Sequence, residues 1–187
     1  MYYWKIFILV SALWIGIEIY LAAARRAKSS TGLDRGSMKL MWIVIATSIG
    51  AGIYIAFSGY GFLSCCVKTL SVIGIVLIIT GQIIRGVAIL TLKRYFTTNV
   101  AILPDHRLIK TGIYKYVRHP AYSGDILSFF GLGLAFSSWL AFLVIFIPVL
   151  LSFLYRIKIE EEILIKKFGK EYITYMQSTK RLIPWIV

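Results

Sequence analysis

The run ILSFFGLGLAFSSWLAFLVIFIPVLLSFLY, Ile126–Tyr155, decides the fold of this chain. It is almost wholly apolar. A single helix over it would be about 45 Å long at about 1.5 Å per residue, well past a hydrocarbon core of about 30 Å. The run must therefore turn, and Gly131, Gly133 and Ser137-Ser138-Trp139 supply the turn signal. Two rather short helices are expected, about Tyr122–Phe136 and Trp139–Tyr155. Directly before them stands GIYKYVRHPAYSGD, Gly112–Asp125, a cluster of Arg, His, Tyr and Asp at the lip of a segment suited to lipid.

Working outward, three further apolar blocks precede this hairpin: Tyr3–Ala24, Leu40–Phe62 and Val67–Leu92. The chain of 187 residues is 59% hydrophobic, against roughly 45–50% for an average soluble domain, and its mean hydropathy is +0.80. These values fit an all-α integral membrane protein of five transmembrane helices. The first block exceeds the roughly 7–15 apolar residues of a signal peptide core, and Ala22-Ala23-Ala24 runs straight into Arg25-Arg26, so it reads as an anchor.

The charges give an independent test of the count, because Lys and Arg collect in short cytoplasmic loops. Arg25, Arg26, Lys28, Arg35 and Lys39 lie between the first two helices. Lys93, Arg94, Arg107, Lys110, Lys115 and Arg118 lie between the third and fourth, and the remaining cluster runs from Arg156 to Arg181 after the fifth. The opposite side keeps only Lys5 and Lys68. The net charge of +13 is thus a topology signal, with the N-terminus outside and the C-terminus cytoplasmic, and it does not argue for nucleic acid. The two cysteines, Cys65-Cys66, are adjacent at a short outer loop and offer no disulfide framework and no metal-ligand spacing.

Both histidines, His106 and His119, fall in the long third loop. Pro120 suits the first turn of a helix, where its missing N–H has no partner to lose. His119 then stands at the helix N-terminus, where free N–H groups and the positive dipole end can receive an anionic group. Past the fifth helix, Arg156 and Glu160 are four residues apart and share one helical face. They read either as an ordinary surface ion pair or as a two-ended site, the Arg for an anion and the Glu for a cation. Beyond them Ile163, Leu164, Phe168, Tyr172, Tyr175 and Met176 recur at helical spacing, and Gly169 weakens the middle of that amphipathic C-terminal segment. Glu18, Arg85 and Asp125 are charges inside the spans and need partners or water. An Arg85–Asp125 or Arg85–Glu18 pair would satisfy them.

The string RHPAY with Gly124, a helical hairpin, then Glu160-Glu161, Leu164, Phe168-Gly169, Glu171-Tyr172, Tyr175 and Arg181…Pro184 resembles the isoprenylcysteine carboxyl methyltransferase family of integral membrane enzymes. The likeness covers about Gly81–Pro184, which divides the chain into N-terminal membrane helices (1–80) and a membrane methyltransferase core (81–187). The resemblance implies S-adenosylmethionine as methyl donor, S-adenosylhomocysteine as product, and a lipophilic acceptor arriving from the bilayer. It implies a cofactor site of His106, Arg107, Leu108, Ile109, Tyr114, His119, Pro120, Ala121, Tyr122 and Glu160, with Arg156 set toward the acceptor and the transferring methyl. No metal is implied. A prenylcysteine-like carboxylate is the expected acceptor, and a phospholipid amine or a small thiol is the alternative. A membrane reductase and a non-catalytic membrane partner are competing readings of the architecture, and a prokaryotic cell membrane is the expected location. Asp125 stands where the family would have an apolar or aromatic residue.

The Lys/Arg asymmetry predicts that reporter fusions after Arg26, near Thr98 and at Val187 read out cytoplasm while one near Gly61 reads out the opposite side. A cytoplasmic signal at Gly61 would sink the five-helix topology.

Overall fold

Six α-helices order the chain in the computed structural model, which describes residues 2–25, 34–99, 105 and 107–184. They are α1 Tyr2–Ala24, α2 Ser37–Phe57, α3 Val67–Leu92, α4 Pro120–Ala135, α5 Trp139–Phe168 and α6 Lys170–Ser178. No strand occurs among the described residues; two isolated bridges, Phe62 with Ser138 and Val117 with Lys180, tie loops together.

Among the described residues four stretches are long and apolar enough to cross a membrane: Trp4–Ala24, Ser37–Phe57, Ser64–Tyr95 and Trp139–Phe168. α4 has 16 residues, about 24 Å of rise where a bilayer core needs about 30 Å. Its early end has a local cause. Ser137 takes φ +52, and Ser138 accepts a hydrogen bond from the N–H of Ala141 at 3.1 Å, capping α5. The turn thus falls where the Ser-Ser-Trp signal lies.

α5 continues without a break past Tyr155 to Phe168, 30 residues in all, and so carries Arg156 and Glu160 on the same rod that enters the membrane. The amphipathic run read as one helix from Ile163 to Met176 is in fact two. Gly169 takes φ +55, a conformation that costs glycine little, and the chain restarts there as α6. Tyr172 and Tyr175 of α6 are buried, while Lys170 and Ile173 are exposed.

α3 and α4 make the closest contact. A Cβ placed at Gly81 would stand 2.4 Å from the Gly124 carbonyl, and one placed at Gly131 would stand 2.5 Å from the Gly74 carbonyl. Only glycines at these crossings let the two backbones touch, as small residues do where membrane helices pack. The core around them joins Ile78, Phe129, Leu132, Ile145, Val149 and Phe153. α1 is attached more lightly. Of its described side chains only Phe7 and Trp14, two turns apart on one face, are buried, and Trp14 meets the Phe129 ring edge-on at 4.8 Å.

Gly81→Ala should therefore lower the thermal midpoint of the detergent-solubilised protein, by an overpacking cost of about 1–3 kcal/mol. Gly86→Ala, on the same helix with nothing within 4 Å of the new methyl, should leave the midpoint unchanged or raise it. Equal losses at the two positions would contradict the close α3–α4 contact.

Candidate active site

The third loop and the C-terminal tail build one wall together. Pro120 opens α4 with His119 as its N-cap residue. The preceding residues pair with the tail: Arg118 N–H donates to the Lys180 carbonyl at 2.8 Å and His119 N–H to that of Arg181 at 3.1 Å. Ser123 Oγ donates to the Leu182 carbonyl at 2.6 Å. Glu161 clamps this junction from α5. Its carboxylate faces Arg118 Nε at 3.0 Å, His119 Nε2 at 3.3 Å and Arg181 Nη2 at 2.6 Å.

Below this wall, a 3-10 turn, Gly112–Lys115, presents Tyr114, whose carbonyl accepts from Tyr175 Oη at 2.5 Å. Burial pushes the Tyr114 and Tyr172 phenols well above their ordinary range and that of Tyr175 up to about 12. All three rings are neutral donors at pH 7.

Arg156 is 1% exposed. Its Nε–H donates to Tyr122 Oη at 3.0 Å, and Tyr122 Oη donates in turn to Glu160 Oε2 at 2.8 Å. Arg156 and Glu160 thus meet through a phenol rather than directly. The rest of the guanidinium turns the other way, to Asp34 Oδ1 at 2.9 Å, Ser37 Oγ at 3.0 Å and the Thr98 carbonyl. Tyr122 also stacks on His119, with ring centroids 5.7 Å apart.

A cavity of about 470 Å³ joins these groups to apolar side chains of α1, α2 and α4. At one end stand Tyr114, His119, Tyr122, Arg156 and Glu160; at the other, Phe7, Trp14, Ile45 and Leu132. Between them Arg85 grips Glu18, with Nε to Oε1 at 2.6 Å and Nη2 to Oε2 at 2.8 Å, and also pairs with Asp125. Both pairings raised by the sequence are formed at once, so α1, α3 and α4 share one charge cluster. Of the buried polar atoms on the cavity wall, Thr98 Oγ1 and Tyr172 Oη, like Ser11 Oγ and Trp14 Nε1 on α1, have no hydrogen-bond partner among the described residues. A polar ligand there would relieve a real cost.

Arg107, Leu108, Ile109, Tyr114, His119, Ala121, Tyr122, Arg156 and Glu160 all line this one cavity. Pro120 is buried behind it and serves the helix start. His106 lies outside the described residues. Sequence reasoning missed Asp34, Thr98 and Glu161. Glu161 was visible only as the second member of a Glu-Glu pair; on a helix it sits about 100° from Glu160 and looks at a different partner set.

Residues 72–166 match the model of the isoprenylcysteine carboxyl methyltransferase (ICMT) family. Protein-S-isoprenylcysteine O-methyltransferase of Saccharomyces cerevisiae is 40% identical over 126 residues, covering 66% of this chain and 52% of that protein. Protein-S-isoprenylcysteine O-methyltransferase B of Arabidopsis thaliana is 32% identical over 115 residues, covering 60% of this chain and 58% of that protein. The chain spans little more than half the length of these relatives. The solved structure of a eukaryotic intramembrane Ras methyltransferase, isoprenylcysteine carboxyl methyltransferase, superposes with a TM-score of 0.62 at 28% identity, over 75% of this chain and 52% of that one.

Glu161→Gln should loosen the clamp, because Arg118 and Arg181 lose their shared buried carboxylate at a cost on the order of 3 kcal/mol. Trypsin should then cut after Lys180 or Arg181 much faster than in the parent protein, with the transmembrane core still intact. Unaltered cleavage would show that the tail is held without Glu161.

Proposed function

This chain belongs to the isoprenylcysteine carboxyl methyltransferase family, and on that premise we propose that it transfers the methyl group of S-adenosylmethionine to the carboxylate of a prenylcysteine-like lipid at the membrane–cytoplasm boundary. The observation that carries the proposal is the shape of the cavity. One continuous space has apolar walls suited to a hydrocarbon chain and ends among a cation, a carboxylate and three aromatic rings. A water-soluble charged donor and a lipid acceptor need such a junction to come within reacting distance.

The residues present fit the donor. Glu160 offers a carboxylate for its ammonium group, and the backbone N–H groups at the start of α4 suit its carboxylate. The faces of Tyr114 and Tyr122 suit a cation or a flat base. Tyr172 Oη and Thr98 Oγ1 are unpartnered polar atoms at the wall. When bound, S-adenosylmethionine supplies a sulfonium methyl that a carboxylate oxygen can take directly, leaving a neutral thioether, so that no proton has to move. The work of the chain is therefore placement and exclusion of water, which can account for several kcal/mol of barrier. Arg156 is the anchor assigned to the acceptor carboxylate, and Tyr122 holds it at a fixed offset from Glu160. The same reading has α4 and α5 forming a hairpin within the bilayer. It places the loop of Arg107–Arg118 and the segment from Arg156 onward on the cytoplasmic side, as the Lys/Arg distribution supports.

Calorimetry on the solubilised protein should register S-adenosylhomocysteine and not NADPH, and labelled methyl should pass to an N-acetylated S-farnesylcysteine. Glu160→Gln should weaken S-adenosylhomocysteine by about 1.5–3 kcal/mol, typical of a charged hydrogen bond. Binding of NADPH without S-adenosylhomocysteine would return the chain to the reductase reading.

A further inference from the structure

Arg156 and Glu160 lie one turn apart on α5, the spacing at which an Arg and a Glu ordinarily pair. Here the guanidinium is drawn off the helix instead. It is held by the Asp34 carboxylate at 2.9 Å and Ser37 Oγ at 3.0 Å, both at the start of α2, and by the Thr98 carbonyl. Arg156 lines the cavity; Asp34 does not, and so stands behind the guanidinium. The carboxylate is itself fixed. Its Oδ2 accepts from the Met38 N–H at 2.9 Å and its Oδ1 from Ser37 Oγ at 3.1 Å, while left-handed backbone at Arg35 (φ +46) and Gly36 (φ +72) turns the chain into α2.

We propose that Asp34 is a positioning residue of the active site: as the counter-ion behind Arg156, it keeps that guanidinium off Glu160 and so leaves the Glu160 carboxylate to the cationic end of the methyl donor. The argument is one of competing carboxylates. An arginine so deeply buried must be neutralised within the protein. Two carboxylates are near enough, Asp34 behind and Glu160 through Tyr122. With Asp34 ionised, the Glu160 carboxylate accepts from the Tyr122 hydroxyl and faces the cavity. Without that charge, Glu160 becomes the remaining carboxylate within one helical turn, and the direct i, i+4 pair closes over the donor's seat. The site then depends on a residue outside the 72–166 match to the family, supplied by the segment that opens α2.

The inference rests on the assignment of Glu160 to the donor's ammonium group, and the test separates the two. Binding of S-adenosylhomocysteine and of its deaminated analogue, which lacks that ammonium, is measured on the full chain in detergent. The parent protein should prefer S-adenosylhomocysteine by on the order of tenfold or more. Asp34→Asn keeps an oxygen for the Met38 cap but no charge, and should bring the ratio close to one by weakening S-adenosylhomocysteine alone. Asp34→Glu should restore most of the preference. Arg35→Ala, which removes only an exposed bridge to Glu162 from the same segment, should retain it. If Asp34→Asn fails to fold, Asp34→Ser, also a good cap, replaces it with the same expected collapse of the ratio. A parent protein that does not discriminate overturns the Glu160 assignment and the inference with it. A discriminating parent whose Asp34→Asn and Asp34→Ser forms discriminate equally well overturns the inference alone. So does loss of preference in Arg35→Ala, which would trace the effect to loosening of the segment.

Discussion

A guanidinium with 1% exposure at the mouth of a membrane helix must find its counter-charge and its acceptors inside the protein, because neither lipid nor bulk water can supply them. Arg156 finds them on three elements that are far apart in sequence: Asp34 and Ser37 at the start of α2, Thr98 in the third loop, and Tyr122 on α4. Satisfying one side chain therefore fixes where three segments sit. Tyr122 passes the constraint on to Glu160, and α5 passes it to Glu161, whose partners Arg118, His119 and Arg181 seat the C-terminal tail beside the start of α4. The site is the by-product of burying charge at an interface where every charge must be answered.

The same rule governs the interior of the helix bundle. Arg85 takes both Glu18 and Asp125, and α1, which otherwise buries only Phe7 and Trp14 of its described side chains, is held to the bundle through that contact. The pairing was legible from the sequence because intramembrane charges are few and each must have a partner. Where only three such residues exist, elimination does most of the work. The hairpin turn was legible for a similar reason: Ser137-Ser138 interrupts an apolar run too long for one crossing.

What stayed hidden depends on approach rather than on pattern. Asp34 reaches Arg156 across 122 positions of chain, and no periodicity links a loop aspartate to a helix mouth. Glu161 looked equivalent to Glu160 in a Glu-Glu-Glu run; only the packing of α5 sends one into the cavity and the other to the tail. The spacing of Arg156 and Glu160 allowed either a direct pair or a two-ended site, and the interposed Tyr122 hydroxyl could not be read from any local stretch. The break at Gly169 was half visible: a glycine within an amphipathic run signals weakness, while the positive φ that ends the helix there is set by how α6 lays Tyr172 and Tyr175 down.

The unbroken course of α5 has a mechanical consequence. Its apolar part and the residues at the site are one continuous helix of 30 residues, with Pro148 inside it, so the height of Arg156 and Glu160 above the bilayer midplane is tied to how that helix stands in the lipid. A helix meets a thinner hydrocarbon layer by tilting and a thicker one by standing upright. Acyl-chain length and sterol content thus act on the depth at which the polar end of the cavity sits. The bilayer is in this sense a dimension of the active site, set by lipid composition rather than by any residue.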